Sequence, residues 1–245
     1  MSEQSLTFDE IHKDYCNFID SCSKFNCYTR SVDIQKDKVK ECEEYLIKIK
    51  GYKYQAAERQ NEFAANQFFH MQCMTNAMRS SLNMWIQLKS HQFEDSWSSL
   101  IDAQEYISIA IRINDYEGVR TFQSRLKDAE HALFPGWNLF NSSGLIETVG
   151  NCSICGNPFS SCEHIENEIY MGSLCKRIDI KIIRVDHCAL VENPRDKRCI
   201  ITTTSDKDGN EIDYFTWERT GKIINNDDGR HISGRVFCFS NLDVF

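Results

Sequence analysis

The feature that most constrains this chain is a group of five cysteine and histidine residues within positions 152–175, just past the midpoint of its 245 residues. Cys152 and Cys155 are separated by two residues, and Gly156 follows them directly. Two cysteines at this spacing bind one zinc ion, because a tight turn brings both sulfurs to the same point. A small residue after the second cysteine lets backbone N–H groups approach the sulfurs. The stretch therefore predicts a metal centre.

Tetrahedral zinc needs two further ligands, and the sequence offers three candidates for them. Cys162 and His164 are two residues apart, so their side chains point to the same face of an extended segment. Cys175 comes within reach of the metal once the intervening segment folds back. We predict Cys152, Cys155, His164 and Cys175 as the ligands, because the last two permit a closed loop around the metal. Cys162 is the alternative ligand or a neighbouring thiol.

The predicted cofactor is one zinc ion with a structural role. Four protein ligands in so short a segment indicate a closed site, whose binding free energy is folding free energy for the C-terminal half. A catalytic zinc keeps one position open for water and has a carboxylate base nearby. Glu163 lies between two candidate ligands, but zinc deaminases have His-x-Glu before their Cys-x-x-Cys pair. Here the Cys-x-x-Cys pair comes first.

The chain has 12 cysteines, and their meaning depends on the compartment. In an exported protein an even number of cysteines suggests disulfides. Residues 1–10 are polar and acidic and lack the apolar region of a signal peptide. No apolar run approaches the roughly 18 residues that a membrane-spanning helix needs. We therefore expect a cytoplasmic protein with reduced thiols and no membrane association.

The first half of the sequence has apolar residues at intervals of three and four, which predicts amphipathic helices. The helical pattern of the second segment is interrupted near Gly51, and Phe134-Pro135-Gly136 ends the last segment. Met71, Met74 and Met78 form a stripe that we assign to the core. Residues 1–138 are thus predicted to form an antiparallel helical bundle. The five segments begin near Phe8, Ser31 or Asp33, Glu62, Phe93 and Tyr116.

Residues 139–245 alternate short β-branched runs with turn residues, which predicts a zinc-binding β-rich domain. The overall fold class is therefore α+β, a helical bundle followed by a zinc-stapled β-rich module. The predicted strands are Ile178–Val185, Cys199–Thr204, Ile212–Trp217 and Arg235–Phe239. The predicted hairpin turns are Asp208-Gly209, Thr220-Gly221 and Asp228-Gly229.

The metal-binding stretch resembles treble-clef and zinc-ribbon-like modules over residues 152–204. The resemblance rests on the Cys-x-x-Cys knuckle, the Cys-x-His pair and the turn at residues 169–172 before Cys175. The segments at 189–194 and 196–199 are similar to segments of uncharacterised bacterial proteins, some of which lie near phage and antiphage genes. The resemblance implies zinc and a prokaryotic setting, and it covers none of the helical half.

The metal centre is the best-defined site in the sequence, and its predicted role is structural. We therefore expect a non-enzymatic interaction or regulatory subunit of a cytosolic prokaryotic complex, with antiviral defence as one setting. Its expected partner is another protein or a second copy of the chain. A net charge of −8 gives no whole-molecule attraction to nucleic acid.

One alternative is a ribonuclease. Arg125 and His131 match the Arg-x(4–6)-His spacing of HEPN ribonucleases, which are helical bundles. The resemblance implies that this pair is catalytic and is completed by a second copy across a dimer interface. On a regular helix the two residues lie about 120° apart around the axis, so they do not share a face.

A second alternative is single-stranded nucleic-acid binding through the β half. Aromatic side chains stack on bases, and nearby cations attract the phosphate backbone. Core aromatic residues with scattered surface charges would give the same composition. The residues concerned are Tyr170, Tyr214, Phe215, Trp217, Arg219, Lys222, Arg230 and Arg235.

Overall fold

The computed structural model describes residues 7–224, 229–238 and 242–245. Five helices are followed by a β-rich region, which confirms the predicted α+β fold. No described helix combines the length and the apolar character that a bilayer-crossing segment needs. The helices are α1 (Phe8–Ser23), α2 (Val32–Glu58), α3 (Glu62–Lys89), α4 (Phe93–Ile113) and α5 (Glu117–Leu133).

The helices begin where side chains can satisfy their first backbone N–H groups. Thr7 and Glu10 form a reciprocal capping box at the start of α1. Ser31, one of the two predicted caps of α2, accepts a hydrogen bond from the N–H of Ile34. The predicted interruption near Gly51 is wrong, because α2 continues through it. A glycine weakens a helix without breaking it, and no atom lies within 4 Å of where a side chain would begin at Gly51.

Helix α3 forms the centre of the helical bundle, between α2 and α4. Met71, Met74 and Met78 are buried, with exposed fractions of 2%, 6% and 3%, so their assignment to the core is confirmed. Polar residues of α3, among them Gln72 and Asn76, are buried as well. A helix buried on all sides is typical of the centre of a bundle.

The cysteines of the helical half separate into buried and exposed thiols. Cys22, Cys42 and Cys73 are fully buried, as expected for small apolar core residues. Cys16 is half-buried. The sequence predicts all five cysteines of this half as small apolar core residues, because they lack ligand spacing. That prediction is wrong for Cys27, which is exposed in the turn after α1.

The described residues of the β-rich region form ten short strands in four small sheets. The strand orders are β1-β6, β10-β7-β8-β9, β2-β5 and β3-β4. The first five strands are β1 (Phe140–Glu147), β2 (Asn151–Cys152), β3 (Ile169–Tyr170), β4 (Ser173–Leu174) and β5 (Arg177–Ile178). The other five are β6 (Ile182–Val191), β7 (Ile201–Ser205), β8 (Asn210–Asp213), β9 (Arg219–Ile223) and β10 (Ile232–Gly234).

The predicted strands overlap the observed ones only in part. Thr220-Gly221 lies inside β9 and is not a hairpin turn. The strand predicted for Ile212–Trp217 ends at Asp213, whose carboxylate accepts backbone hydrogen bonds from the two residues after Tyr214. In the predicted strand Arg235–Phe239, residues 235–238 are not strand, and Phe239 lies outside the described residues.

The turn at Asp208-Gly209 is present between β7 and β8. The carboxylate of Asp206 accepts a hydrogen bond from the N–H of Asp208, and Gly209 has a φ of +79°. A positive φ is readily adopted by glycine, which lacks a Cβ atom. The turn predicted at Asp228-Gly229 includes Asp228, which lies outside the described residues.

Residue contacts divide the chain into two compact units. The helical unit runs through Leu126 and also includes Ile169–Ser173 and Asp243–Phe245. The β unit contains the described residues of 127–168 and 174–242. The boundary at residue 138, between a helical domain and a zinc-binding domain that fold separately, stays a prediction.

We expect Ile107→Ala to lower the free energy of unfolding of the helical unit by about 2–5 kcal/mol. Ile107 lies on α4 and is fully buried, so the substitution removes core contacts and leaves a cavity. Ile47→Ala, on α2, is the matched control, because Ile47 is 75% exposed. Its effect should stay below about 0.5 kcal/mol. Urea unfolding followed by helical circular dichroism measures both, and equal losses would contradict the assigned core.

Candidate metal centre

The cysteine knuckle is built by a tight turn that follows β2. Cys152 is the last residue of β2, and its C=O accepts a hydrogen bond from the N–H of Gly156 at 2.8 Å. Gly156 has a φ of +73°, which a residue with a Cβ atom rarely adopts. The N–H of Ile154 donates to the sulfur of Cys152 at 3.4 Å. The turn thus places Cys155 beside Cys152 and stabilises negative charge on the first sulfur.

A second pair of ligands follows a short 3-10 turn at Phe159–Ser161. Cys162 Sγ lies 3.5 Å from Cys155 Sγ and 3.2 Å from His164 Nδ1. The backbone N–H of His164 donates to Cys162 Sγ at 3.2 Å. This repeats the N–H to sulfur contact of the knuckle.

Four side chains bring one ligand atom each to a common point. The sulfurs of Cys152, Cys155 and Cys162 and a ring nitrogen of His164 all lie within 4.8 Å of one another. A zinc–sulfur distance of about 2.3 Å places tetrahedral sulfur ligands about 3.8 Å apart. The 3.5 Å separation of the Cys155 and Cys162 sulfurs is close to that value. The cluster, which we call the Cys3His cluster, can therefore hold a metal ion.

Cys175 is adjacent to the Cys3His cluster but is not one of its four members. Its sulfur lies 3.7 Å from that of Cys152, and both side chains are buried. The mutually close set thus contains Cys162, the alternative ligand of the sequence analysis, in addition to the predicted Cys152, Cys155 and His164. The choice between Cys162 and Cys175 as the fourth ligand stays a prediction until metal binding is measured.

The support of the cluster comes from residues distant in sequence. β2 pairs with β5 in antiparallel register, with Cys152 opposite Arg177. The Arg177 guanidinium is 2.8 Å from Glu147 and 3.4 Å from Glu166, and all three side chains are half-buried. These ion pairs fix β5 beside the knuckle. Sequence spacing carries no signal for them, because the partners are brought together only by the fold.

The thiols of the cluster differ in their tendency to ionise. Burial raises the pKa of Cys152, but the N–H groups of Cys155 and Ile154 and the thiols of Cys162 and Cys175 outweigh it and lower the pKa to about 6. Burial raises the pKa of Cys162 to about 11, and hydrogen bonds to the Cys152 and Cys155 sulfurs add to the increase. Burial and the neighbouring Cys152 raise the pKa of Cys175 to about 12. A metal ion would have to displace protons from the high-pKa ligands.

The ribonuclease pair is on the surface of α5. Arg125 and His131 are both exposed, and they belong to the same helix six residues apart. Their side chains therefore leave the helix on different faces. The catalytic assignment of these two residues stays a prediction.

Part of the proposed base-stacking set is brought together. The rings of Tyr214 and Trp217 lie 5.1 Å apart, and Trp217 is 59% exposed. Phe215 packs edge-on against Trp137 at 5.4 Å. Tyr170 belongs to the helical unit.

The basic residues that accompany these aromatics have partners. Arg219 lies 2.8 Å from the Asp206 carboxylate, and Lys222 lies 3.5 Å from that of Glu211. Arg230 donates to the Thr204 hydroxyl. Ion pairing reduces the positive potential that phosphate binding needs. Nucleic-acid binding stays a prediction without specific support from the geometry.

No protein-family model, curated protein or solved structure matches this chain. The resemblance to treble-clef and zinc-ribbon-like modules therefore stays a prediction, and the site is interpreted from its geometry.

We expect Cys162→Ser to weaken metal binding far more than Cys175→Ser does. Cys162 is a member of the Cys3His cluster, whereas Cys175 contacts it through Cys152. Co²⁺ titration provides the measurement, because thiolate-to-cobalt absorption reports how many sulfurs bind. The absorption should be unchanged in intensity in Cys175→Ser. A larger loss in Cys175→Ser would instead favour the ligand set with Cys175.

Proposed function

We propose that Cys152, Cys155, Cys162 and His164 hold one structural zinc ion, and that the chain is a non-enzymatic interaction or regulatory subunit. The observation that carries the proposal is the mutual approach of three sulfurs and one imidazole nitrogen within 4.8 Å. Three thiolates and one imidazole in a tetrahedral arrangement are the ligands that zinc prefers. Hard cations such as magnesium and calcium prefer oxygen ligands.

A structural role is favoured over a catalytic one by the number of protein ligands. Four side chains complete a tetrahedral coordination sphere and leave no position for water or substrate. The strands beside the cluster, β2 and β5, have only two residues each. Strands this short contribute little stability by themselves. Structural zinc contributes of order 10–16 kcal/mol, so it would supply the folding free energy that these strands lack.

The interaction role is supported by the surface of the β unit. Strand β6 is exposed along most of its length, and Ile183, Val185 and Leu190 are 66%, 52% and 47% exposed. Apolar side chains grouped on a surface are typical of protein interfaces. We place this interaction in the cytoplasm of a prokaryote, in a multiprotein complex, with antiviral defence as one setting.

We expect the purified chain to contain about one zinc ion, measured by elemental analysis. Cys152→Ser together with Cys155→Ser should remove the metal and unfold the β unit, because no knuckle remains to hold the ion. The helical signal in circular dichroism should persist. Cys188→Ser is the matched control, because Cys188 is an exposed thiol on β6 outside the cluster.

Chelation should give the same result as the double substitution. A protein whose β unit keeps its protease resistance after complete metal removal would contradict the structural role. A chain that binds no zinc when prepared with excess metal under reducing conditions would contradict the proposal as a whole.

A further inference from the structure

The helical unit holds a short extended segment, Asp243–Phe245, through side chains of three helices. The N–H of Asp243 donates to the Tyr106 hydroxyl of α4 at 2.7 Å. The side-chain amide of Gln72 on α3 donates to the C=O of Asp243 at 2.9 Å. Both backbone polar groups of one residue are therefore bound by side chains. This is the pattern by which a protein recognises a peptide main chain.

The side chains of the segment are recognised as well. The Asp243 carboxylate lies 2.6 Å from the ammonium group of Lys50 on α2. Val244 is 2% exposed and serves as the apolar anchor, whereas Phe245 is half exposed. A charge pair beside a buried aliphatic side chain gives selectivity for an acidic residue followed by an aliphatic one.

The segment leaves other buried polar groups of the same region without hydrogen-bond partners among the described residues. They are the ammonium group of Lys53, the side-chain carbonyl oxygen of Gln72 and both carboxamide atoms of Asn76. Lys53 is 7% exposed, and Gln72 and Asn76 are fully buried. Gln72 and Asn76 are one helical turn apart, so they share a face of α3.

Lys53 is the most demanding of these groups. Its ammonium lies over the ring of Phe69, 5.1 Å from the centroid, and no carboxylate or carbonyl of the described residues accepts a hydrogen bond from it. Burial lowers the pKa of Lys53 to about 8, and the negative charge of Asp243 opposes this decrease. The group therefore remains mainly a cation at pH 7. A buried cation without an acceptor is costly, so a ligand that supplies one gains binding free energy.

We propose that Lys50, Lys53, Gln72, Asn76 and Tyr106 form an acidic-peptide groove for a segment of a partner protein. Asp243–Phe245 fills this groove from within the chain, and a partner segment with a second carboxylate displaces it. The partner is a peptide and not a small anion, because Tyr106 and Gln72 bind a backbone N–H and C=O. The second carboxylate of the partner segment pairs with Lys53. The carboxylate of Asp243 pairs with Lys50 instead.

This inference deepens the interaction role proposed above by naming the chemistry of the partner. It uses none of the cysteine or histidine ligands. Loss of zinc and loss of peptide binding are therefore separate readouts, and metal content is measured in every preparation.

The test uses the full chain with Val244→Asp, which frees the groove by making burial of residue 244 unfavourable. The probe is the fluorescent peptide Asn-Leu-Asp-Val-Phe, which has the sequence of residues 241–245. It should bind the variant saturably and bind the parent chain at least tenfold more weakly, because the parent groove is filled. Three further peptides carry glutamate in place of the asparagine, the leucine or the phenylalanine. The best of them should bind roughly tenfold more tightly, since hydrogen bonds to charged groups are the stronger ones.

Further substitutions in the Val244→Asp variant show how much each lysine contributes to peptide binding. Lys53→Met should abolish the gain from the added glutamate, and it should weaken the original peptide less than Lys50→Met does, because Lys50 and not Lys53 pairs directly with Asp243. Lys50→Met should weaken every peptide, because it removes the partner of the common aspartate. Lys48→Met is the matched control, because Lys48 pairs with Asp14 instead and should not affect peptide binding.

Three outcomes would overturn the proposal. They are no peptide binding to a folded variant, no gain from any added glutamate, and a gain that survives Lys53→Met. The second outcome would mean that water accepts the hydrogen bonds of the Lys53 ammonium group. If Val244→Asp lowers the helical content, Val244→Ser replaces it, since serine removes the apolar anchor without burying a charge.

Discussion

The close approach of three sulfurs to one another is the constraint on which the proposed metal centre depends. Thiolates that share a site repel each other, so only some of them can be ionised together. In the Cys3His cluster, the low pKa of Cys152 is matched by raised values at Cys162 and at the neighbouring Cys175. A divalent cation reverses this balance, because it favours the charged form of every ligand. The proposed zinc ion would therefore couple the folding of the β unit to the ionisation of its cysteines.

The helical unit is stabilised differently. Its core is formed around α3, with fully buried side chains such as Phe69, Leu82 and Leu100 on α3 and α4. Long helices satisfy their backbone hydrogen bonds internally, so they need no ion to be stable. Strands of two residues cannot do the same, because their partners come from distant parts of the chain. The metal centre accordingly lies in the part of the chain with the shortest regular elements.

The helices were predictable because two signals agree, the apolar period and caps such as Ser31. The strands were predicted less well. β1 includes the polar run Ser142-Ser143-Gly144, and β6 is exposed nearly throughout, so neither shows the alternation of a half-buried strand. At the metal centre, spacing identified Cys152 and Cys155. Spacing could not decide between Cys162 and Cys175, because that choice depends on how the chain folds back beyond residue 164.

Gln72 and Asn76 on α3 are buried polar residues whose hydrogen bonds the described residues of the bundle do not complete. An unsatisfied buried polar group costs about 1–3 kcal/mol, and an apolar residue of similar size would avoid that cost. The side-chain NH2 of Gln72 donates to the Asp243 carbonyl, whereas its side-chain oxygen has no hydrogen-bond partner among the described residues. Both side-chain amide atoms of Asn76 also lack a partner there. Lys53 adds an unpaired charge from the neighbouring helix. Gln72 contacts the bound segment directly and Lys53 interacts with the charge of Asp243, so unpaired groups from two helices lie beside the same segment. That placement is the one expected of residues that recognise a ligand.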